Sequence, residues 1–124
     1  MATPAGWRLR FLYQASADVQ KDLDYYAKAG AKVVWDFMEF GTRVAALDLG
    51  ERPLLLLAGH RRAPNVLPVY EVAELKPTVQ KLIDAGVEPE GEPFGIPNGP
   101  CRLFKDPSGN EFALFQDARP HALE

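Results

Sequence analysis

The two halves of this chain resemble each other, and this internal repeat constrains the fold more than any other feature. A first amphipathic helix is predicted from Asp18, a suitable N-cap, to Gly30, a suitable C-terminal stop. A second is predicted from about Glu74 to Gly86, where each residue aligns with the first helix at an offset of 56. Each helix follows an apolar strand and precedes three further extended stretches. Each half is therefore predicted to be a βαβββ module.

The strands are predicted from runs of apolar, β-branched and aromatic residues bounded by turn-forming residues. Residues 95–100 and 106–110 are rich in Gly, Pro, Asn and Ser and are predicted to be a loop and a turn. Residues 117–124 resemble a tail, in which His121 is expected to be exposed. The predicted strands are 9–15, 32–40, 43–49 and 54–58 in the first half and 66–72, 87–94, 101–105 and 111–116 in the second.

Length and composition favour one globular domain. The chain has 124 residues, of which 47% are hydrophobic and 25% charged. We expect a single domain over 1–124, with modules at about 7–60 and 65–117 and a tail at 118–124. A net charge of −3 argues against a general nucleic-acid binder, and no apolar run is long enough to span a membrane. No signal peptide is recognisable at the first residues, so a cytoplasmic protein is expected.

The turn at 106–110, with the sequence Asp-Pro-Ser-Gly-Asn, and the strand that follows it to Gln116 carry a family resemblance. Together with the doubled βαβββ pattern, they resemble the vicinal oxygen chelate superfamily, which includes glyoxalase I, extradiol dioxygenases and bleomycin resistance proteins. The resemblance extends from about Leu9 to Gln116. It implies an α+β fold of two tandem βαβββ modules, whose curved mixed sheet surrounds a cleft with the helices on its outer face. It also implies a homodimer.

The resemblance further implies where a metal would bind. Metal-using members hold the ion with His, Gln or Glu side chains on the first and last strands of each module. These positions fall on Phe11, Leu67, Ala113 and either Leu54 or Leu56. None of these side chains offers an oxygen, nitrogen or sulfur ligand. We therefore expect neither a metal at these positions nor another cofactor.

The same resemblance implies an apolar cleft, and we predict that it binds a small apolar or aromatic molecule, as in the drug-binding members of the superfamily. Polar contacts in the cleft are expected from Tyr13, Trp35, Glu39, Arg43 or Arg102. Packing of these aromatic residues into an ordinary core remains an alternative. The predicted ligand-binding residues are Phe11, Tyr13, Trp35, Phe37, Leu54, Leu56, Leu67, Phe104, Ala113 and Phe115.

An enzymatic alternative also remains open, with no catalytic residue identified. It is a lyase or dioxygenase of the same superfamily that uses a displaced metal site built from His60, Glu71 and Glu111, or metal-free acid–base chemistry by Glu39, Glu71 or Glu111. Cys101 is expected to be a small buried thiol rather than a nucleophile. A third possibility is an interaction domain whose cleft is filled by its own side chains.

Overall fold

The computed structural model describes residues 5–39 and 41–119, so His121 and the end of the predicted tail lie outside the described residues. The chain forms two compact units. The first unit is Arg10–Pro68, and the second contains, among the described residues, 5–9 and 69–119. No helix in this described part of the chain has the length and hydropathy needed to cross a bilayer.

The first unit is a βαβββ module, as the repeat predicts. Its elements are β1 (Arg8–Ala15, whose first two residues belong to the second unit), α1 (Val19–Lys28), β2 (Lys32–Glu39), β3 (Thr42–Asp48) and β4 (Leu54–Ala58). The strand order is β2-β3-β4-β1. β1 and β4 run parallel, whereas β2 pairs with β3 and β3 with β4 in antiparallel fashion, so the sheet is mixed.

Helix α1 begins where the sequence predicts, because the side chain of Asp18 accepts a hydrogen bond from the Lys21 backbone N–H at 3.1 Å. This bond satisfies a donor that has no partner within the helix. The helix buries Val19 and Leu23 against the sheet. The sheet residues that share this core are Leu12, Ala45, Leu47, Leu55 and Leu57.

The second unit repeats this arrangement. Its elements are β5 (Val66–Val72, which begins in the first unit), α2 (Leu75–Asp84), β6 (Pro89–Ile96), β7 (Gly99–Lys105) and β8 (Glu111–Gln116). The strand order is β5-β8-β7-β6, with β5 and β8 parallel and the other pairs antiparallel. The buried core beneath α2 consists of Val72, Leu75, Val79, Phe104 and Leu114.

The two helices start differently although their sequences align. Glu74 occupies the N-cap position of α2 but makes no side-chain capping hydrogen bond. The side-chain oxygen of Gln116 accepts a hydrogen bond from the Leu75 N–H at 2.9 Å instead. The second helix therefore obtains its N-terminal acceptor from a neighbouring strand rather than from its own cap residue.

The predicted fold class is confirmed, but the prediction of a loop at 95–100 is wrong. These residues form the end of β6, a tight turn and the start of β7, so the region is a β-hairpin. Gly95 pairs with Pro100 and Ile96 with Gly99 in regular register, and the irregularity of this ladder lies earlier, between Glu90 and Phe94. Close packing also requires one glycine, since a Cβ on Gly99 would lie 2.1 Å from the Gln116 carbonyl oxygen.

Candidate functional site

The sheet of the first unit has one face against α1 and an opposite face, which we call the open face because α1 does not cover it. The central residues of this face are nevertheless buried. Side chains alternate along a strand, and Leu12 contributes to the core beneath α1. Its neighbours Phe11 and Tyr13 therefore point to the open face. Phe11 lies opposite Leu54 and Tyr13 lies opposite Leu56 in the parallel ladder of β1 and β4. Four of the predicted ligand-binding residues thus share this face.

A row of residues crosses all four strands of the open face. Trp35 on β2 lies opposite Ala46, Ala46 opposite Leu56, and Leu56 opposite Tyr13. Large aromatic residues stand on the outer strands, and Ala46 stands between them. Three inter-strand spacings separate β2 from β1, a width of about 14 Å. The adjacent row, which follows the same pairing, is Phe37, Val44, Ala58 and Ala15.

The aromatic side chains of β2 form a stacked pair. The rings of Trp35 and Phe37 are 4.9 Å apart between centroids, with 15° between their planes. Phe37 is 47% exposed, which is a large fraction for a Phe side chain. The prediction that these two residues share a face is confirmed by their ladder partners. They place an accessible aromatic surface at one end of the row.

A polar pair stands at the other end of the row. The Tyr13 hydroxyl lies 3.2 Å from His60 Nε2, within hydrogen-bond distance. Burial raises the pKa of Tyr13, with a smaller opposing effect of the Arg61 charge. Burial and the same Arg61 charge lower the pKa of His60. Both rings are therefore neutral near pH 7, where each offers one donor and one acceptor.

The remaining predicted residues do not join this row. Leu67 lies on the first-unit part of β5 and is buried. In the second unit, Ala113 and Phe115 share the face opposite α2, and both are buried. Phe104 lies on the other face, in the core beneath α2, where its ring stacks on Phe112 at 5.4 Å between centroids. The structure therefore separates Phe104 from Ala113 and Phe115.

Two of the polar residues considered from the sequence also face the helices. Arg43 belongs to the α1 side of its sheet and forms an ion pair with Asp36 at 2.7 Å. Arg102 lies opposite Leu114, on the α2 side, and donates a hydrogen bond to the Gly91 carbonyl. Of the expected polar contacts, Tyr13 and Trp35 are on the open face. The side chain of residue 39 is outside the described part of the structure.

Sequence reasoning missed two features of this face. It treated His60 as a solvated residue or a displaced metal ligand and did not associate it with Tyr13, from which it is separated by 47 positions. It also overlooked two small residues in the rows of this face: Ala46, which lies between Trp35 and Leu56, and Ala58, which lies between Val44 and Ala15. The alternation of side chains along β3 and β4 could have shown that these small residues share a face with Trp35 and Tyr13.

The positions where the superfamily resemblance expects metal ligands have hydrocarbon side chains, and all of them are buried. They are Phe11, Leu54, Leu67 and Ala113. Within residues 5–39 and 41–119, no group of three or more His, Cys, Asp and Glu side chains is arranged to hold a metal ion.

Comparison with known protein families and structures agrees with this architecture. The family model described as the glyoxalase/bleomycin resistance protein/dioxygenase superfamily matches residues 8–114. No curated protein matches the sequence. The structure is similar to the crystal structure of methylmalonyl-CoA epimerase from Mycobacterium tuberculosis, with a TM-score of 0.81 and 18% identity. That match covers 100% of this chain and 97% of the epimerase chain.

Two further structures show the same similarity. A variant of methylmalonyl-CoA epimerase from Streptomyces coelicolor, in complex with 2-nitronate-propionyl-CoA, has a TM-score of 0.73 and 19% identity over 90% of this chain and 95% of its own. A member of the glyoxalase/bleomycin resistance protein/dioxygenase superfamily from Vibrio splendidus has a TM-score of 0.68 and 15% identity. That match covers 90% of this chain and 99% of the Vibrio splendidus chain. At these identities the similarity establishes the fold.

Proposed function

The chain belongs to the glyoxalase/bleomycin resistance protein/dioxygenase superfamily, and we propose that it binds a small apolar or aromatic molecule on the open face of its first unit. The observation that carries the proposal is the cross-strand row from Trp35 through Ala46 and Leu56 to Tyr13. Trp35 and Tyr13 flank a row whose middle residues, Ala46 and Leu56, are apolar and buried. Apolar clefts with a few polar groups are the usual form of small-molecule sites.

The aromatic pair on β2 supplies the contact surface in this proposal. Phe37 is half-exposed and stacks on Trp35, so the two rings are already stacked without a ligand. Stacking of a flat ligand on such a pair adds to the gain from burying apolar area. Because the rings are already in position, little side-chain entropy is lost on binding.

The polar pair orients the ligand. Tyr13 and His60 stand where the row ends, and both are neutral near pH 7. A neutral phenol and imidazole are less costly to desolvate than charged groups. They therefore suit a ligand that is apolar over most of its length and has a hydrogen-bonding group at one end.

We propose that binding does not use a metal at the family positions. The side chains of Phe11, Leu54, Leu67 and Ala113 have no donor atom for an ion. Divalent ions in proteins need oxygen, imidazole or thiolate ligands. Apolar contact takes the place of coordination at these positions.

A second candidate function is acid–base catalysis, which the similarity to epimerases suggests and one carboxylate favours. Glu71 lies opposite Phe115 on the face of the second unit away from α2, and its side chain is 22% exposed. It forms an ion pair with Arg8 at 2.7 Å. This pairing engages the carboxylate that would have to abstract the proton. We therefore rank binding ahead of catalysis.

The binding proposal is tested with 2-naphthamide, a neutral flat probe, and tryptophan fluorescence. The Trp7→Phe variant retains Trp35 as its single tryptophan, and its emission is expected to be quenched on titration. The Trp35→Phe variant retains Trp7, which packs against Tyr70 and Phe112 in the second unit, and is expected not to respond. Quenching of Trp7 alone, or no binding by calorimetry, would contradict the proposal.

A matched pair of substitutions on β2 adds a second test. Phe37→Ala removes one wall of the site, and an affinity loss of about tenfold is expected from the lost stacking and burial. Met38→Ala is the control, because Met38 is 70% exposed and pairs with Arg43 on the opposite face. Equal effects of the two substitutions would exclude the open face as the site.

The catalytic alternative has its own assay. The protein is incubated with methylmalonyl-CoA in deuterated water, and exchange at the carbon next to the thioester is followed by NMR. Exchange that Glu71→Gln abolishes would establish the alternative. Absence of exchange, together with binding of 2-naphthamide, would support the binding function.

A further inference from the structure

Each unit ends in an outer strand, β2 in the first unit and β6 in the second, and the internal repeat places these strands at equivalent positions. β2 pairs with β3 on one side, and no strand that the structure describes pairs with its other side. The free edge of an outer strand presents backbone N–H and C=O groups that can accept a further strand. Soluble proteins usually protect such edges with proline, charged side chains or irregular pairing.

The outer strand of the second unit, β6, has all three kinds of protection. Pro93 has no backbone N–H to donate to a further strand. Glu92 is charged and exposed. The pairing of β6 with β7 is irregular between Glu90 and Phe94. A further strand therefore has little to pair with at this edge.

The outer strand of the first unit, β2, has no proline and is rich in exposed apolar side chains. Val33 pairs with Leu47 on the α1 side of the sheet, and Phe37 pairs with Val44 on the open face, so both faces of the edge are apolar. The exposed apolar residues are Val33, Val34, Phe37 and Met38, which are between 38% and 70% exposed. Together they present about 400 Å² per copy, an area typical of the largest apolar patch on a monomer, which is often functional.

The charge within this apolar run is balanced inside the chain. The Asp36 carboxylate accepts hydrogen bonds from Arg43 Nε at 3.0 Å and from Arg43 Nη2 at 2.7 Å. Arg43 lies on β3, the inner neighbour of β2, so the pair forms within the sheet of one chain. Lys32 stands before the run, at the first residue of the strand. A strand that approaches positions 33–38 therefore meets little net charge.

We propose that two copies of this chain associate by antiparallel pairing of their β2 strands, which joins the two first-unit sheets into one. A strand suited to an apolar, unprotected edge must itself be apolar and unprotected, and of the two outer strands described here β2 has these properties. Identical antiparallel strands are related by a two-fold axis perpendicular to the sheet, so each copy contributes the same surface. The inference goes beyond the proposed binding function and does not depend on it.

The two-fold axis has a consequence for the open face. It keeps the open faces of both copies on the same side of the joined sheet, with the stacked Trp35 and Phe37 rings of each copy near the junction. Pairing would remove about 800 Å² of surface through the four apolar residues of both copies, about half of a standard stable interface. A dimer with a dissociation constant in the micromolar range is therefore expected.

Sedimentation velocity of the whole chain at micromolar concentrations is expected to show a monomer–dimer equilibrium. The double variant Val33→Lys/Met38→Lys adds charge to the edge and is expected to weaken association by about 100-fold or more. Phe94→Lys is the matched control, because it adds the same charge at an exposed apolar residue of β6. It is expected to leave the dissociation constant of the dimer unchanged.

Three results would overturn the proposal. A wild-type protein that remains monomeric would exclude a second copy as the partner and would favour a strand from another protein at this edge. Undiminished association of a folded double variant would place the dimer interface elsewhere. Equal weakening by Phe94→Lys would show that the effect is not specific to β2.

Hydrogen exchange of the wild-type protein needs no substitution and decides the question even where the double variant fails to fold. Backbone N–H groups that pair between strands are protected from exchange. Residues 32–39 are therefore expected to exchange more slowly at a concentration that forms dimers than after dilution to monomers, whereas residues 89–96 are expected to be unaffected. Dimer formation without added protection at 32–39 would contradict pairing through β2.

Discussion

Trp35 lies directly across the β2–β3 ladder from Ala46, so the largest side chain of the open face stands beside one of the smallest. Ala46 is fully buried, at 0% exposure, and Leu56 follows it in the same row. The proposed ligand site depends on this size difference between Trp35 and Ala46. Replacing Ala46 is therefore a direct test of it.

Ala46→Leu is expected to abolish detectable binding of 2-naphthamide. Because Ala46 is fully buried, the added carbons displace the neighbouring side chains of the row. Overpacking of this kind costs about 1–3 kcal/mol of stability, so folding is checked by circular dichroism. Ala27→Leu, on the exposed side of α1, is the control and is expected to bind normally. A folded Ala46→Leu protein with unchanged affinity would place the ligand elsewhere.

Phe104→Ala is expected to destabilise the protein by about 3–5 kcal/mol, as large-to-small substitutions of buried Phe do. Phe104 is 0% exposed and stacks on Phe112 beneath α2. Phe94→Ala is the comparison, since Phe94 is 43% exposed and its loss is expected to cost under about 1 kcal/mol. Urea denaturation measures both. Similar costs for the two substitutions would contradict a structural role for Phe104.

The aligned helix starts give a prediction with a built-in control. Asp18→Ala is expected to cost about 1 kcal/mol, because it removes the capping bond to the Lys21 N–H. Glu74→Ala, at the equivalent position of α2, removes no capping bond and is expected to be near neutral. Denaturant midpoints of the two variants decide this. A larger loss for Glu74→Ala would show that the assignment of caps is incorrect.

Cys101 is expected to be unreactive in the folded protein. Burial raises the pKa of its thiol to about 12, a shift that a backbone hydrogen bond from Arg102 only partly opposes. The thiol is therefore protonated at pH 8, where only a thiolate would attack a disulfide reagent. Ellman's reagent should detect no thiol in the native state and the single thiol in concentrated guanidinium chloride. Rapid native reaction would show that this strand opens readily.

The turn at 106–110 is expected to lose stability in acid. The Asp106 side chain accepts hydrogen bonds from the backbone N–H groups of Asn110 and Ser108, and the first of these is the main reason that its pKa lies below the ordinary 3.8. A depressed folded-state pKa stabilises the fold above the unfolded value, and this contribution is lost as the pH falls through the folded value. The Tm difference between the wild type and Asp106→Ala should therefore shrink below about pH 4. A constant difference from pH 7 to pH 2 would contradict this account.

Local sequence signals predicted the modules and much of their detail. The Asp18 cap and the Asp106 turn depend on hydrogen bonds between residues two to four positions apart, so the sequence contains both partners. Strands β4, β5 and β8 have the predicted bounds for a similar reason, because each is an apolar run between turn-forming residues. The sequence did not predict the hairpin at 95–100, because the pairing of β6 with β7 outweighs the weak strand preference of Gly and Pro.

The sequence by itself determined that this chain is two βαβββ modules, since periodicity and capping are local properties. Tertiary structure decided which face each side chain takes. Some strands are apolar at successive positions, as in Leu54 to Leu57 and in Leu103–Phe104. In such strands the alternation of side chains does not show which face is buried until a helix packs on one of them. That choice placed Phe104 in the core and Trp35 and Tyr13 on the open face. Tertiary structure also brought His60 to Tyr13. The two residues are 47 positions apart, and they meet because hydrogen bonds hold both ends of segment 59–65 against the sheet of the first unit.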